Sequence, residues 1–335
     1  MNYYYQTEGT LRGNLGDTLQ GMAAKAFLPE NAIVVDRENL SNIDAKEDGV
    51  FIANGWYMHN WNNFPPPQNI YPIYASVHIA DSAMLLEKRI REHFKKYAPI
   101  GCRDKKTLHL FLGWGVPAYY SSCLTITTKQ RTVINKSNTG EYLLVDNSDH
   151  PIPANVQDKL EKLTGQKLIK ISHNPIGKDL TFDEFAKKSE EIMEQNLERY
   201  CKAACVITTK IHCALPCLGM GAKVILIHPN PKEFRLETAR NFIEIYSYDD
   251  VLKMDKLIFS KINTKKLQKY QKFLSGIVEE SVEKGYNIVS QSNKINYKFI
   301  RIKSNILAIL QKFSIKMLYA FGIRKQQLKR VYGLK

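Results

Sequence analysis

The chain has 335 residues, 44% of them hydrophobic, and a formal net charge of +15, which provides enough apolar material for one large core or two ordinary ones. Ten basic residues and no acid lie in residues 296–335, so most of the excess charge belongs to this tail. That distribution argues against a nucleic-acid groove running through the body of the protein, and we expect no nucleic-acid partner.

The N-terminal segment predicts a strand over residues 2–6, followed by a glycine-rich loop and a helix. The start, MNYYYQTEG, has neither the basic nor the apolar region of a signal peptide, so we expect a cytoplasmic protein. Asp17, followed by Gln20, has the form of a helix N-cap with its N3 partner. Gly13 and Gly16 allow close approach of a ligand or of another chain segment, but a plain strand-to-helix turn is the simpler interpretation.

Two further strands are predicted over residues 32–36 and 50–54, and an aromatic, proline-rich loop follows them. The aromatic side chains of this loop are Trp56, Tyr57, His59, Trp61 and Phe64. They could stack on a sugar or cap the edge of the sheet, and the sequence does not separate these interpretations. A strand over residues 73–80 and an amphipathic helix over residues 81–97 come next.

Arg103 lies at the end of the next predicted strand, in the segment PIGCRD, ahead of a helix that begins near Lys105. An arginine at this point can grip a carboxylate or a phosphate with two parallel hydrogen bonds, or can pair with a neighbouring acid. Residues 119–127 are predicted as a strand. The polar segment 129–141 has no apolar period and is typical of a domain linker, with the break near Asn138.

The second half repeats the alternation of strands and helices. Its predicted strands cover residues 142–146, 167–172, 204–208, 223–227 and 242–246, and its predicted helices residues 154–163, 182–200, 211–218 and 264–284. Two blocks of such units indicate an α/β protein with two Rossmann-like parallel-sheet domains that face each other across a cleft. The N-terminal domain is expected over residues 1–138, the C-terminal domain over residues 139–295, and a separate tail over residues 296–335.

Thr209, Lys210 and His212 lie between two predicted strands of the second domain. This places them at the carboxyl end of one strand and at the amino end of a short helix. Ligands bind at such points in open α/β sheets, and the helix dipole favours an anion there. Pro216 within the helix predicts that it begins near Cys213, where the first amides need no intrahelical partner.

Four cysteines lie near His212, so the sequence raises the possibility of a metal site. They are Cys201, Cys205, Cys213 and Cys217. Their spacing is C-x3-C twice, whereas structural zinc usually takes C-x2-C knuckles in glycine-rich turns. We therefore predict no metal and regard the six cysteines of the chain as reduced, small apolar side chains in a cytosolic protein.

The tail, residues 296–335, combines its basic residues with apolar residues at helical spacing. Lysines interrupt every apolar run, so none is long enough to cross a bilayer. Two interpretations remain for a basic amphipathic helix of this kind: it lies on an anionic membrane surface, or it packs on the body. The complete lack of acids favours the membrane, with the protein peripheral on the inner face of the cell membrane.

Three motifs make the chain resemble the polysaccharide pyruvyl transferase family. They are GNLGD at residues 13–17, GCRD at residues 101–104 and VITTKIHCALPCLGMGAKVI at residues 206–225, and they occur in the family's order. The resemblance covers about residues 9–229, and the third motif is the most specific. It implies a fold similar to glycosyltransferase-B (GT-B) enzymes and transfer of a pyruvyl group from phosphoenolpyruvate to a sugar of a bacterial capsule or exopolysaccharide, with no cofactor.

The resemblance also implies roles for residues of the second motif and third motif. Arg103 and His212 match family positions that bind phosphoenolpyruvate and assist its chemistry, while Lys210 stands where the family usually has an arginine. A lysine keeps the positive charge of arginine but lacks the planar guanidinium fork that donates two parallel hydrogen bonds. With Thr209 these residues form the expected donor site. His212 is the expected general acid, since imidazole titrates near neutral pH, and Asp17 is the candidate base.

The acceptor is expected on the N-terminal domain, as a sugar or lipid-linked oligosaccharide. Asn14 and Gly16 of the first motif, with Trp56 and His59 of the aromatic loop, are the predicted acceptor-binding residues. A lipid-linked acceptor would also account for a tail that binds an anionic membrane.

Two other functions fit the same residues. A nucleotide-sugar glycosyltransferase of this architecture would hold a diphosphate with Lys210 and His212, and would release a nucleotide instead of phosphate. A non-catalytic, membrane-associated assembly protein would use the same residues structurally and would not bind phosphoenolpyruvate.

Overall fold

The structure is a computed structural model that describes residues 1–9, 14–137, 139–146, 151–173 and 179–285. Within these residues the strands form two sheets, one of six strands and one of five. All neighbouring strands in both sheets run parallel. The predicted α/β class with two parallel sheets is therefore confirmed.

The first sheet has the strand order β2-β1-β3-β4-β5-β6. Its strands are β1 (Asn2–Thr7), β2 (Ile33–Asp36), β3 (Gly49–Tyr57), β4 (Ile70–Ile79), β5 (Ile100–Cys102) and β6 (Ala118–Tyr120). The helices of this half are α1 (Leu15–Lys25), α2 (Lys88–Lys96) and α3 (Lys105–Gly113). Because the strands are parallel, the carboxyl ends of β1 and β5, which α1 and α3 follow along the chain, lie at the same edge of the sheet.

The second sheet has the strand order β11-β10-β9-β7-β8. Its strands are β7 (Tyr142–Val145), β8 (Ile169–Lys170), β9 (Cys205–Thr208), β10 (Val224–Ile227) and β11 (Ile245–Tyr246). Its helices are α4 (Ala154–Thr164), α5 (Phe182–Lys202), α6 (Ile211–Met220), α7 (Glu237–Arg240), α8 (Tyr248–Leu252) and α9 (Thr264–Lys284).

One apolar cluster joins the two halves of the chain. Leu19 of α1, Leu215 of α6 and Leu274 of α9 are all buried in it. Separate clusters cover the other faces of the two sheets, with Phe94 of α2 in the first and Val156 of α4 in the second. Since α1 and α6 share a core, the N-terminal ends of these two helices are held close together.

The predicted start of the first helix is wrong by three residues. The helix begins at Leu15, and Asn14 is its N-cap, because the side chain of Asn14 accepts a hydrogen bond from the amide of Gly16 at 3.0 Å. Asp17 therefore lies within the first turn and not at the cap. Asp17 is then available for contacts outside its own helix.

Two other segments predicted as single elements are divided. The strand predicted over residues 119–127 ends at Tyr120, and a 3₁₀ turn follows at Leu124–Thr127. Ser122 interrupts the strand because its φ is +70°, in the left-handed region. The helix predicted over residues 81–97 is a 3₁₀ turn at Ser82–Leu86 followed by α2.

The short helix α6 begins at Ile211, as the predicted range 211–218 has it, and contains Pro216. The later start near Cys213 that Pro216 suggested is therefore wrong. Proline at this position has no amide to donate to the carbonyl four residues earlier, which is that of His212. All six cysteines are buried and free, including Cys213 and Cys217 of α6, as expected for small apolar side chains. The predicted helix over residues 264–284 agrees with α9.

Some predictions fall outside the described residues. They concern Gly13, the domain break near Asn138 and the tail at residues 296–335. Within the part of the chain that the structure describes, none of the helices has the length and apolar content needed to cross a bilayer.

Candidate functional site

Three helices begin directly after the carboxyl ends of parallel strands and meet at one place. They are α1 after β1, α3 after β5 and α6 after β9. The first-turn amides of a helix have no intrahelical acceptor and carry partial positive charge, so each of these helix ends favours an anion. Side chains at the three helix ends also contact one another.

Arg103 and His212 come from different halves and lie side by side. Nη1 of Arg103 is 3.4 Å from Nε2 of His212 and donates a hydrogen bond of 2.8 Å to Oε1 of Gln20. An arginine can only donate, so His212 presents an unprotonated Nε2 to it. The two residues that the sequence assigned to the donor are thus brought together, with Gln20 of α1 as a third member.

Gln20 links this pair to Asp17. The Nε2 of Gln20 donates to Oδ1 of Asp17 at 2.6 Å, and Nη1 of the buried Arg37 lies 3.6 Å from the same oxygen. The carboxylate of Asp17 therefore holds Gln20 in the orientation that accepts from Arg103. That Asp17 is the catalytic base stays a prediction, and its Oδ1 atom already has two partners.

Gly16 explains how α1 and α6 approach each other so closely. A Cβ atom on Gly16 would lie 3.0 Å from both Cβ and Nδ1 of His212, and 2.9 Å from Oδ1 of Asn14. These distances are shorter than ordinary van der Waals contacts. The predicted close approach at Gly16 is therefore observed, and the neighbouring group is His212. Whether Asn14 and Gly16 bind an acceptor stays a prediction.

The imidazole of His212 is neutral in the protein alone. Burial, and then the positive charge of Arg103, lower the pKa of His212 to about 3. Asp17 opposes this shift, while Lys210 and His78 add to it. The sequence predicted an imidazole that titrates near neutral pH, and for the protein alone this prediction is wrong.

Lys210 is the N-cap residue of α6, and Thr209 precedes it. The amide of Lys210 donates to Oγ1 of Thr208 at 3.0 Å, and the amide of Thr209 donates to the carbonyl of Val145 at 3.2 Å. Thr209 is buried, while Lys210 is half-buried. The structure thus places both residues beside His212, at the carboxyl end of β9, as the sequence predicted.

A histidine–aspartate pair that the sequence analysis missed lies beside Arg103. Nδ1 of His78 is 2.6 Å from Oδ2 of Asp104. The other carboxylate oxygen of Asp104 accepts from the amide of Thr107 at 2.8 Å and caps α3. Burial alone would raise the pKa of Asp104, but His78 and Arg103 lower it to about 2. No spacing in the sequence relates His78 to Asp104, because they are joined only by the pairing of β4 with β5.

Trp56 and His59 are the members of the aromatic loop that lie by this pair. The ring of Trp56 is 5.8 Å from that of His59 and 5.0 Å from that of His78. Nε1 of Trp56 is buried and has no acceptor among the described residues. Tyr57 and Phe64 are buried in the core of the first half, so neither side chain is exposed for stacking on a sugar.

Glu38 fixes the backbone of the same loop. Its Oε2 atom accepts from the amides of His59 and Asn60, each at 2.9 Å, and its Oε1 atom is 3.3 Å from Nε of Arg37. Burial alone would raise the pKa of Glu38, but the Asn60 amide and the charge of Arg37 lower it. Trp56 and Tyr57 belong to β3, so the predicted aromatic loop begins only after Tyr57. An ionised carboxylate therefore anchors the loop that follows the strand end carrying Trp56.

Among the residues that the structure describes, no group of three or more His, Cys, Asp or Glu side chains is arranged to hold a metal ion. The cations of the site are instead Arg103 and Lys210. With the three helix ends they form a positively charged point between two parallel sheets, which suits a small, multiply charged anion.

The fold and the site thus define an α/β protein with two parallel sheets and a candidate site at which Arg103 and His212 meet. The chain belongs to the polysaccharide pyruvyl transferase family, whose model matches residues 14–231. This range contains Asp17, Arg103 and His212, and the family makes the chain a transferase that acts on polysaccharide. No curated protein matches the chain. One solved structure, of an uncharacterized protein from Klebsiella pneumoniae, is similar over 71% of this chain and 86% of that one, with 11% identity and a TM-score of 0.43.

Proposed function

We propose that this protein transfers the enolpyruvyl-derived group of phosphoenolpyruvate to a sugar of a polysaccharide precursor, forms a cyclic pyruvate ketal and releases phosphate. The observation that carries the proposal is the meeting of Arg103 with His212 at 3.4 Å, where α1, α3 and α6 begin. Phosphoenolpyruvate carries a carboxylate and a phosphate, and Arg103, Lys210 and the helix ends supply matching charge.

The reaction needs a proton at carbon and two sugar hydroxyls. A proton on the methylene carbon makes a methyl group and leaves the central carbon electron-poor, so one hydroxyl oxygen bonds to it. The bond from this carbon to the phosphate oxygen then breaks, and a second hydroxyl closes the ketal. One hydroxyl proton replaces the proton used at carbon, and the other leaves with the phosphate. His212 is the proposed acid for the carbon.

Binding of the donor would itself prepare His212 for this role. The negative charges of phosphoenolpyruvate would neutralise Arg103 and Lys210, whose charges lower the pKa of His212. The pKa of His212 would then rise toward the usual histidine range. No nucleotide and no metal take part in these steps.

The acceptor belongs on the first half of the chain, across a GT-B-like cleft from Lys210. Trp56 offers an aromatic face and a buried N–H without an acceptor among the described residues. A sugar hydroxyl would satisfy that N–H, while the ring would stack on the apolar face of the sugar. His59 stacks beside Trp56 and extends this surface.

The direct test is release of inorganic phosphate from phosphoenolpyruvate, measured with a panel of p-nitrophenyl glycosides as acceptors. Arg103→Lys should raise the apparent KM for phosphoenolpyruvate at least tenfold, because lysine keeps the charge but loses the fork and the hydrogen bond to Gln20. Release of a nucleotide from a nucleotide sugar, without phosphate release from phosphoenolpyruvate, would identify a glycosyltransferase instead.

Lys210→Arg provides the matched control, since it exchanges the same two residue types in the opposite direction. This variant should keep or improve donor affinity, because it restores the arginine that the family usually has. Loss of donor binding in a folded Lys210→Arg protein would show that the site depends on lysine.

A further inference from the structure

The pairing of β3, β4 and β5 places His78 level with Arg103. Val77 of β4 is the register partner of Cys102 of β5, and the amide of Arg103 donates to the carbonyl of Val77 at 2.9 Å. His78 and Arg103 each follow the paired residues directly, so they stand at adjacent strand ends. Trp56 is the register partner of His78 on the other side. His78 therefore lies between the proposed donor residue Arg103 and the proposed acceptor residue Trp56.

The carboxylate of Asp104 fixes the protonation of the His78 ring. The pair is 2.6 Å apart at Nδ1, and an ionised carboxylate can only accept, so Nδ1 carries the proton. The other ring nitrogen, Nε2, is then a lone-pair acceptor, and it has no hydrogen-bond partner in the described part of the chain. Asp104 cannot turn away, because Thr107 donates to it from α3 through both its amide and its hydroxyl.

The carboxylates of the site are less suited to take a proton. Asp17 is bound by Gln20 at 2.6 Å and lies 3.6 Å from Arg37. Glu38 accepts from two backbone amides, at 2.9 Å each, and pairs with Arg37. Among the described groups between Arg103 and Trp56, His78 is the one that combines an oriented ring with an open basic nitrogen.

We propose that His78 is the general base that takes the proton of the attacking sugar hydroxyl, and that Asp104 is its positioning residue. This inference rests on the pyruvyl transfer proposed above. As the hydroxyl oxygen bonds to the central carbon of the donor, its O–H bond breaks and the proton passes to Nε2 of His78. His212 supplies the separate proton to the methylene carbon, so the two histidines handle different protons of the same reaction.

The neutral state of His78 agrees with a base. Burial, and then the charge of Arg103, lower the pKa of His78, while the bond with Asp104 raises it. Lys106 of α3 acts in the same direction as Arg103. The ring is therefore neutral at pH 7, with its one proton on Nδ1 and a lone pair on Nε2 that can accept a second.

The test compares His78→Asn with the wild-type enzyme. The asparagine Nδ2 takes the place of the histidine Nδ1 and keeps the hydrogen bond to Asp104, but no basic nitrogen remains. A positioned base contributes about 10²–10⁴-fold to the rate, so kcat with the best p-nitrophenyl glycoside should fall at least 100-fold. Affinity for phosphoenolpyruvate, measured by calorimetry without acceptor, should stay within threefold.

Asp104→Asn tests the positioning role. Its Oδ1 still caps α3, but its amide donates to Nδ1 and forces the proton of His78 onto Nε2. The rate should fall by a similar factor, and the double variant with His78→Asn should be no slower than the slower single variant. A purely structural pair would instead lower the melting temperature and leave kcat per folded enzyme unchanged.

His93→Asn is the matched control, because His93 is half-buried and hydrogen-bonded to the hydroxyl of Tyr74 at 2.7 Å, but lies outside the site. It should keep kcat per folded enzyme. A folded His78→Asn enzyme with kcat within threefold of wild type overturns the role of His78. A loss of kcat in Asp17→Asn, with kcat retained in His78→Asn, overturns it as well. A wild-type protein that does not bind phosphoenolpyruvate overturns the proposed function itself.

Discussion

At the scale of single residues, His212 shows why a side chain cannot be assigned a protonation state from its type. Its ring accepts from Arg103 at 3.4 Å, and its pKa is lowered to about 3 by burial and by that charge. Under the proposed function, donor binding raises this pKa, so binding takes up a proton at any pH between the two values. Affinity must then increase as the pH falls, by up to tenfold per pH unit.

This gives a residue-scale prediction for the dissociation constant of phosphoenolpyruvate between pH 7 and pH 5, because the usual histidine pKa of about 6.5 is the upper limit of proton uptake. The wild-type protein should bind more tightly at the lower pH, and His212→Gln should lose this dependence because glutamine does not titrate. The phosphate of the donor also titrates near pH 6, and the His212→Gln variant shows that contribution alone. Calorimetry in two buffers of different ionisation enthalpy measures the proton uptake directly. Identical pH profiles for both proteins would contradict proton uptake by His212.

At the scale of elements, the contact between α1 and α6 brings the two halves of the site together. A Cβ on Gly16 would lie 3.0 Å from His212 and 2.9 Å from Asn14. Gly16→Ala should therefore push the two helix ends apart and weaken donor binding. We expect a KM for phosphoenolpyruvate at least tenfold higher, measured by phosphate release.

Gly276→Ala is the control for this prediction. Gly276 also lies within a helix, α9, and a Cβ there would meet nothing within 4 Å. Alanine in an open helical position stabilises by about 0.5–1 kcal/mol relative to glycine. Gly276→Ala should thus raise the melting temperature slightly and leave KM unchanged. An unchanged KM in Gly16→Ala would mean that the helices tolerate the added methyl group.

The same scale shows how far the sequence could predict the site. Hydrophobic period and turn residues located β9 and α6, and they placed Arg103 and His212 at strand ends, because these signals are local. The roles of Gln20 and His78 in the site could not be predicted, because their partners, Arg103 and Asp104, are 83 and 26 residues away along the chain. These residues meet only through helix packing and sheet pairing. The cap of α1 was misplaced because Asn14 and Asp17 are both good capping residues, and only the backbone decides between them.

At the scale of the whole molecule, the chain consists of a body whose two halves share one apolar core and of a basic tail at residues 296–335. The core residues that join the two halves include Leu215 of α6 and Leu274 of α9, so the body is expected to fold without the tail. Residues 296–335 hold ten basic residues, no acid and apolar residues at helical spacing, and they lie outside the described residues. We propose that they bind an anionic membrane surface and bring the enzyme to a lipid-linked acceptor.

The last prediction compares the full chain with a chain that ends at residue 295, using vesicles with and without anionic phosphatidylserine. Each basic residue near an anionic surface contributes about 1 kcal/mol, and the attraction falls off within a Debye length of about 10 Å at 0.1 M salt. The full chain should therefore sediment with anionic vesicles at low salt, and much less at 0.5 M salt. The shortened chain should bind phosphoenolpyruvate normally and stay in the supernatant. Equal sedimentation of the two chains would contradict the membrane role. An unfolded shortened chain would show that the tail packs on the body, because the apolar side chains of the tail would then be needed to complete the core.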